Sequence, residues 1–502
     1  MSQRMDFEYF ITNFKFTKFP FTQFSTEREA QRDKLFYRPS DYSRLVEAFD
    51  SSQSILVLGN RGSGKTAILY DIKSKEDVNT LSAWMDDFST LSLKFEANEF
   101  YHLMINKFVE QLFIKLVDEK HRIKRLSKEQ KVLLVYLLRD FTTPILKSDL
   151  VKKIEQVSSG SVGFFLKRSY NFSRDFLNYG LSTAVQLTSD IIRQHFASLP
   201  PLPKEFVLNK YFPEAPYSAE HQFEKQLINY DFLDRCLQLI KVLGFTKILL
   251  FMDKVDEDNR FKNDAAEIAE FITPVLTDNK LLLNENLQLI VSMWNIPFSF
   301  LIDQVRSQKH FTQKIEWEKS DLIGVLNKRL CYYSDDRICD YKNLFHADVS
   351  TEVIDTIFYL SNKNPRDLWH ILDKVFVEQF KIDPASSVLS KTAVENGLRT
   401  FVEQFNYYEY YPKKVNSRSD SLDIYSYTQH LLRVEQTQFT STKFKEATGV
   451  SGGSVNNYIA GMLRIGLISE ENREGTQRVY QVADPKVIHA IKHRLNIRKR
   501  SV

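Results

Sequence analysis

A chain of 502 residues with 43% hydrophobic and 26% charged residues has room for about three domains at ~150 residues each. Abundant Phe (39) and scarce Gly (15) argue against low-complexity disorder, and no run reaches the ~18 uncharged apolar residues of a membrane span. The net charge of +4 is concentrated: residues 421–502 hold 12 Lys and Arg against 7 Asp and Glu, which fits an acidic partner or simply a solvated basic tail.

The opening MSQRMDFEYF carries charge and aromatics where a leader needs an apolar run. The three cysteines, Cys236, Cys331 and Cys339, form no CxxC pair. The expectation is a cytoplasmic protein in a reducing compartment, with no membrane contact, disulfide or zinc site.

In chain order, residues 1–35 form a Phe-rich segment. Phe14, Phe16, Phe19 and Phe21 alternate with polar residues, which predicts extended structure with one buried face. Ser40 suits the cap of a short helix carrying Leu45, Val46 and Phe49. Ile55–Leu58 reads as a buried parallel strand, followed by GNRGSGKT and a helix from Ala67. Helical periodicity returns over 98–116. Residues 118–230 read as a helical insertion, with helices at 128–140 and 149–156, a Ser/Gly break and a Pro-rich stretch. A helix near 223–243 leads to the strand 247–252, a helix at 265–276 to a strand at 287–293, and a short strand lies near 314–317. Residues 319–410 then read as a helical lid with cap signals at Ser320, Ser350 and Asn364. Strands alternating with helices predict an α/β fold with a parallel sheet, a core spanning 36–318.

Gly59-Asn60-Arg61-Gly62-Ser63-Gly64-Lys65-Thr66 fits GxxxxGK[ST] at every fixed position, between an apolar strand and a helix. Glycines let backbone N–H groups turn inward around phosphate oxygens, and the helix N-terminus adds its dipole. Lys65 is expected to reach the β- and γ-phosphates of ATP, and Thr66 to offer its hydroxyl to Mg²⁺. The second magnesium anchor is expected from Asp253, the acid that ends the 247–252 strand.

The residue after Asp253 is Lys254, which accepts no proton at neutral pH unless strongly desolvated. Asp256 and Glu257 follow closely enough to swing back toward the γ-phosphate, with Asp256 slightly preferred for positioning water. The same acids also suit a plain helix N-terminus. In NKNPRDLWHILDKVF, Asn364 caps, Pro365 fits the first helical position and Asp367 suits the first turn, whereas Arg366 opposes the dipole by ~0.3–1 kcal/mol. A nearby anion, a phosphate or an acidic side chain, would offset that cost.

This order of phosphate loop, Asp-ended strand, third strand with a polar end and helical lid resembles the AAA+ superclass. The FMDKVDE box is closer to the STAND and KAP-type signalling ATPases of bacteria. The likeness spans roughly 36–116 and 235–410 and leaves out the insertion. It implies a sensor at the end of LQLIVSMWN, with Asn295 preferred over Ser292, and a nucleotide role for Arg366. It also implies oligomerisation, with Arg306 or Arg329 as an unspecific candidate for a finger reaching a neighbouring subunit. Lys254 departs from the Asp-Glu box of AAA+ unfoldases and replication factors, which predicts slow hydrolysis.

Residues 421–490 read as a winged helix-turn-helix: helices at 425–434 and 440–446, the GVSGGS turn, a third helix from Ser454, and a hairpin of 467–470 and 478–482. If it binds duplex DNA, Ser451, Ser454, Asn456, Asn457 and Arg464 would face the major groove. Arg473 and Arg478, with Lys492, Arg494, Arg498, Lys499 and Arg500 of the 491–502 basic tail, would meet phosphates. The leading expectation is an ATPase switch coupling nucleotide state to assembly and DNA or partner binding, by analogy in bacterial signalling or phage defence. The alternatives are a replication-initiator or loader-like DNA-binding ATPase and a non-catalytic nucleotide-gated scaffold with an unidentified protein partner.

Overall fold

The computed structural model describes residues 6–127 except 30, parts of 130–141, 229–413 except 307–308, 423–471 and 478–497. Most of the expected insertion, including its helices at 149–156 and most of 128–140, lies outside the described residues, as do Arg473, Arg498, Lys499 and Arg500.

Five strands form one all-parallel sheet: β1 (Ile55–Gly59), β2 (Thr80–Met85), β3 (Lys247–Met252), β4 (Gln288–Trp294) and β5 (Phe311–Lys314). Their order is β2-β3-β4-β1-β5, so β4 stands between the phosphate-loop strand and the strand that ends at Asp253. Alternate side chains go to opposite faces. Ile55 and Val57 join the core shared with the lid, while Leu56 and Leu58 join the core under helix Ala97–Asp118. Burial on both faces accounts for the near-continuous apolar runs of β1, β3 and β4.

One strand is added to the sequence reading and one strand expectation is corrected. β2 was unanticipated because Thr80 and Ser82 break the apolar run of TLSAWM. β5 ends at Lys314, so Trp317 lies beyond it and its indole Nε1 donates to the Ser63 carbonyl at 2.8 Å.

The Phe-rich segment starts as a helix, Phe7–Asn13, rather than a strand. Phe10 and Phe14 are four residues apart, so a helix buries both on one face. Their partner is the lid helix Pro365–Ile382, with the Phe14 and Phe376 ring centroids 4.8 Å apart. The chain then runs back as a strap, residues 23–29 and 31–38, tied to the lid through Glu29 and Arg329 and to the core through Arg38 and Asp71.

The lid contains helices Lys319–Tyr333, Thr351–Leu360, Pro365–Ile382 and Lys391–Gln404. Its first helix is capped by Glu318 in a capping box with Asp321, not by Ser320. After that helix, left-handed Asp335 and Asp336 reverse the chain and join Cys339 to Cys331, with Cα atoms 4.3 Å apart. This corrects the expectation of no disulfide. Cys236 is free and buried.

The C-terminal module has helices Ile424–Val434, Ser441–Thr448, Gly452–Arg464 and Pro485–His493 around an antiparallel sheet of β6 (Gln438–Thr440), β7 (Ile468–Glu470) and β8 (Val479–Val482), ordered β6-β8-β7. Its last helix runs past residue 490 into the expected tail. The module is keyed to the lid by a buried ion pair, Lys486 Nζ to Asp367 Oδ2 at 3.0 Å. Among the described residues no helix is long and apolar enough to cross a membrane.

Candidate functional site

The loop after β1 turns on two left-handed glycines, Gly62 (φ 83°) and Gly64 (φ 86°), the second at the N-cap of helix Lys65–Lys73. A Cβ at Gly62 would lie 2.7 Å from Asn364 Oδ1 and 2.8 Å from Arg366 Cβ, so the lid rests on the loop itself. Asn364 both caps the lid helix through the Arg366 N–H (2.9 Å) and donates to the Arg61 carbonyl (2.6 Å).

Lys65 Nζ donates to the carbonyls of Gly59 (3.2 Å) and Asn60 (3.0 Å). Burial of the ammonium lowers its proton affinity, and the carboxylates of Asp256 and Asp253 pull the other way. Thr66 Oγ1 donates to Asp253 Oδ2 at 2.8 Å, and Ser292 Oγ donates to the other oxygen of the same carboxylate. Asp253 is 2% exposed; burial raises its carboxyl despite those two bonds and the charge of Lys65.

Asp256 is held by the loop after β1. Arg61 Nε donates to its carboxylate at 2.7 Å and Arg61 Nη2 to its carbonyl at 2.6 Å, while the guanidinium stacks over Trp294, 4.3 Å from the ring centroid. Arg61 Nη1 also reaches Asn263 Oδ1 at 2.6 Å. Glu257 carries no such clamp. Its edge is exposed at the cavity wall, yet crowding by protein, with the negative charge of Asp256, raises its carboxyl.

Lys254 is left-handed (φ 59°) and its ammonium pairs with Glu27 Oε1 of the strap at 2.8 Å. Burial works against the Glu27 carboxylate, but hydrogen bonds from Lys254 and Ser25 carry it down to about 2. Arg366 faces the same space; the neighbouring acid Asp367 pairs with Lys486 instead.

These groups line one cavity of 1220 Å³ with Gly62, Gly64, Lys65, Thr66, Asp253 and Tyr37. That is above the roughly 300–1,000 Å³ usual for small-molecule sites. The residues fit a magnesium nucleotide. A hydroxyl and a carboxylate are paired as hard oxygen donors, and the Ser63 hydroxyl is buried without a partner among the described residues.

Asn295 does not line the cavity; it begins helix Asn295–Ser299 with its Oδ1 buried and unpartnered. Ser292, the other residue of that stretch, is the one that touches Asp253. Arg329 points inward, to the Pro20 carbonyl (2.5 Å) and Glu29 (2.7 Å), which removes it as a finger candidate, whereas Arg306 is exposed. Sequence reasoning missed the strap, with Glu27, Glu29 and Tyr37, as a wall of the site.

In the C-terminal module Ser451, Asn456 and Asn457 are exposed, and Ser454 bonds to Ser451 at 3.0 Å. The Arg464 guanidinium lies over Phe300 of the core at 4.3 Å, and Arg478 pairs with Glu470 at 3.3 Å. Lys492 and Arg494 are exposed. Compared with known proteins, the chain matches no family model and no curated protein.

Proposed function

We propose that the chain is an ATP-binding P-loop switch that hydrolyses ATP slowly and passes its nucleotide state through the lid to a C-terminal winged-helix module that contacts duplex DNA. The observation that carries this reading is the 2.8 Å bond between Thr66 and Asp253 beneath a loop turned by two left-handed glycines, with Lys65 buried beside it. The layout is similar to AAA+ and STAND-type ATPases, and the single strand between β1 and β3 suits it.

Magnesium, when bound, would neutralise phosphate charge between Thr66 and Asp253. Lys65, released from its two carbonyls, would take the β- and γ-phosphates. Glu257 is the preferred base, because it faces the cavity unclamped and its raised affinity for protons suits a group that must accept one. Asp256 would instead fix the loop through Arg61. Arg366 would add positive charge from the lid, and Asn364 would tie lid position to the loop backbone.

A second reading, a nucleotide-gated scaffold without turnover, is favoured by Lys254 occupying the position after Asp253 and pairing with Glu27. Steady-state ATP hydrolysis with and without duplex DNA separates the two, with Lys65→Ala as control. Turnover abolished in the variant and changed by DNA supports the switch. ATP binding without turnover favours the scaffold. DNA affinity that falls steeply with salt supports the module's role, and none at low salt overturns it.

A further inference from the structure

Lys254 directly follows the acid that anchors the site, yet its charge is turned to the N-terminal strap. Its ammonium meets Glu27 Oε1 at 2.8 Å, with the two side chains 25% and 31% exposed, so the pair is reachable from the cavity both residues line. The backbone of Lys254 is left-handed, which turns the chain sharply just after Asp253.

Glu27 sits on one turn, Thr26–Arg28, and the strap is anchored a residue further on. Glu29 accepts from Arg329 at 2.7 Å and from the Tyr333 hydroxyl at 2.8 Å. On the other side Phe24 stacks on His370 of the lid helix, 3.9 Å between centroids. Release of Glu27 would therefore loosen the strap between two fixed contacts, one on each side.

We infer that Lys254 is a triphosphate-sensing residue, exchanging Glu27 for the terminal phosphate of a nucleoside triphosphate and so freeing the strap at residues 25–28. A terminal phosphate offers an ammonium more negative charge and more acceptor oxygens than a single carboxylate does. A diphosphate held by the same loop ends one phosphoryl group short and leaves the pair closed. The inference rests on the nucleotide reading of this site, and it gives Lys254 the purpose that its position after Asp253 denies it as a base.

The test uses the full chain with magnesium and either a non-hydrolysable ATP analogue or ADP, reading affinity by calorimetry and strap release by limited trypsin cleavage at Arg28. The analogue is expected to speed cleavage and ADP to leave it unchanged. Lys254→Met is expected to weaken the analogue about tenfold or more while sparing ADP. Glu27→Gln is expected to tighten the analogue and make strap cleavage independent of nucleotide. Equal effects of Lys254→Met on both nucleotides, or equal cleavage with both, overturn the inference. Should Lys254→Met not fold, Glu27→Gln decides alone: unchanged analogue affinity overturns it. If wild type binds neither nucleotide and behaves like Lys65→Ala, the nucleotide reading falls, and this inference with it.

Discussion

Arg61 grips Asp256 at two points, carboxylate and carbonyl, at 2.7 and 2.6 Å. One residue of the loop after β1 thereby holds the turn that follows β3, although 195 residues separate the two. The side chains are 15% and 6% exposed, so neither charge has water to fall back on. Arg61→Ala is expected to cost about 3–5 kcal/mol in urea unfolding, since it strands a buried carboxylate. Asp256→Asn, which keeps an acceptor for Arg61, is expected to cost less.

The two acids of the box should part in their kinetics. Glu257→Gln is expected to lower ATP turnover by about 10²–10⁴-fold while leaving nucleotide affinity within a few-fold. Asp256→Asn is expected to act mainly on stability. Single-turnover hydrolysis beside equilibrium binding checks both, and equal loss of turnover in the two variants would remove Glu257 from its role.

Lys65→Met is expected to keep the fold at some cost in stability, because it removes a cation from the neighbouring carboxylates of Asp253 and Asp256 but leaves Asp253 its bonds from Thr66 and Ser292 and Asp256 its bond from Arg61. The difference appears with ligand. Wild type is expected to gain about 2.7 kcal/mol of stability at a hundredfold excess of MgATP over its Kd, and the variant almost none. Thermal melts with and without MgATP read this directly.

Burial, with the charges of Arg366 and Lys374, lowers His370 from 6.5 to about 4. The unfolded chain then binds the extra proton, so this contribution to stability is complete above pH 6.5 and is lost as pH falls toward 4. Because His370 stacks on Phe24, strap cleavage is expected to rise between pH 7 and 5, and His370→Gln should flatten that rise.

Asp367 and Lys486 form the pair between lid and C-terminal module, with side chains 5% and 0% exposed. Burial lifts the Asp367 carboxyl to about 6 against the pull of Lys486. Lys486→Met alone is expected to cost about 3–5 kcal/mol, and adding Asp367→Leu to recover most of it. The double variant should also weaken any effect of nucleotide on DNA affinity, measured by fluorescence anisotropy.

The parts legible in the sequence were those set by local spacing. The phosphate loop has fixed glycines, β1, β3 and β4 are apolar because both faces are buried, and the cap at Asn364 is declared by the Pro that follows. β2 escaped notice because Thr80 and Ser82 dilute its run. The first Phe residues were ambiguous, since Phe10 and Phe14 satisfy a helical repeat while Phe14, Phe16, Phe19 and Phe21 loosely satisfy an extended one. The role of Arg61 was invisible because the unspecified positions of GxxxxGK[ST] carry no rule. The strap could not be foreseen at the cavity: its ion pairs join residues about two hundred to three hundred positions apart, and only packing brings them together.

The N-terminal Phe segment has a consequence for how the chain is made. Thr17 bonds to Tyr333, 316 residues later, and Phe14 packs on Phe376, later still. At about 5–20 residues per second, a ribosome leaves this greasy segment without its partner for roughly a quarter of a minute to more than a minute. Throughout that interval it offers a binding site for any chaperone that recognises exposed aromatic chain. Residues made more than 300 positions before their partners find their place late, and the cavity gains its strap wall only then.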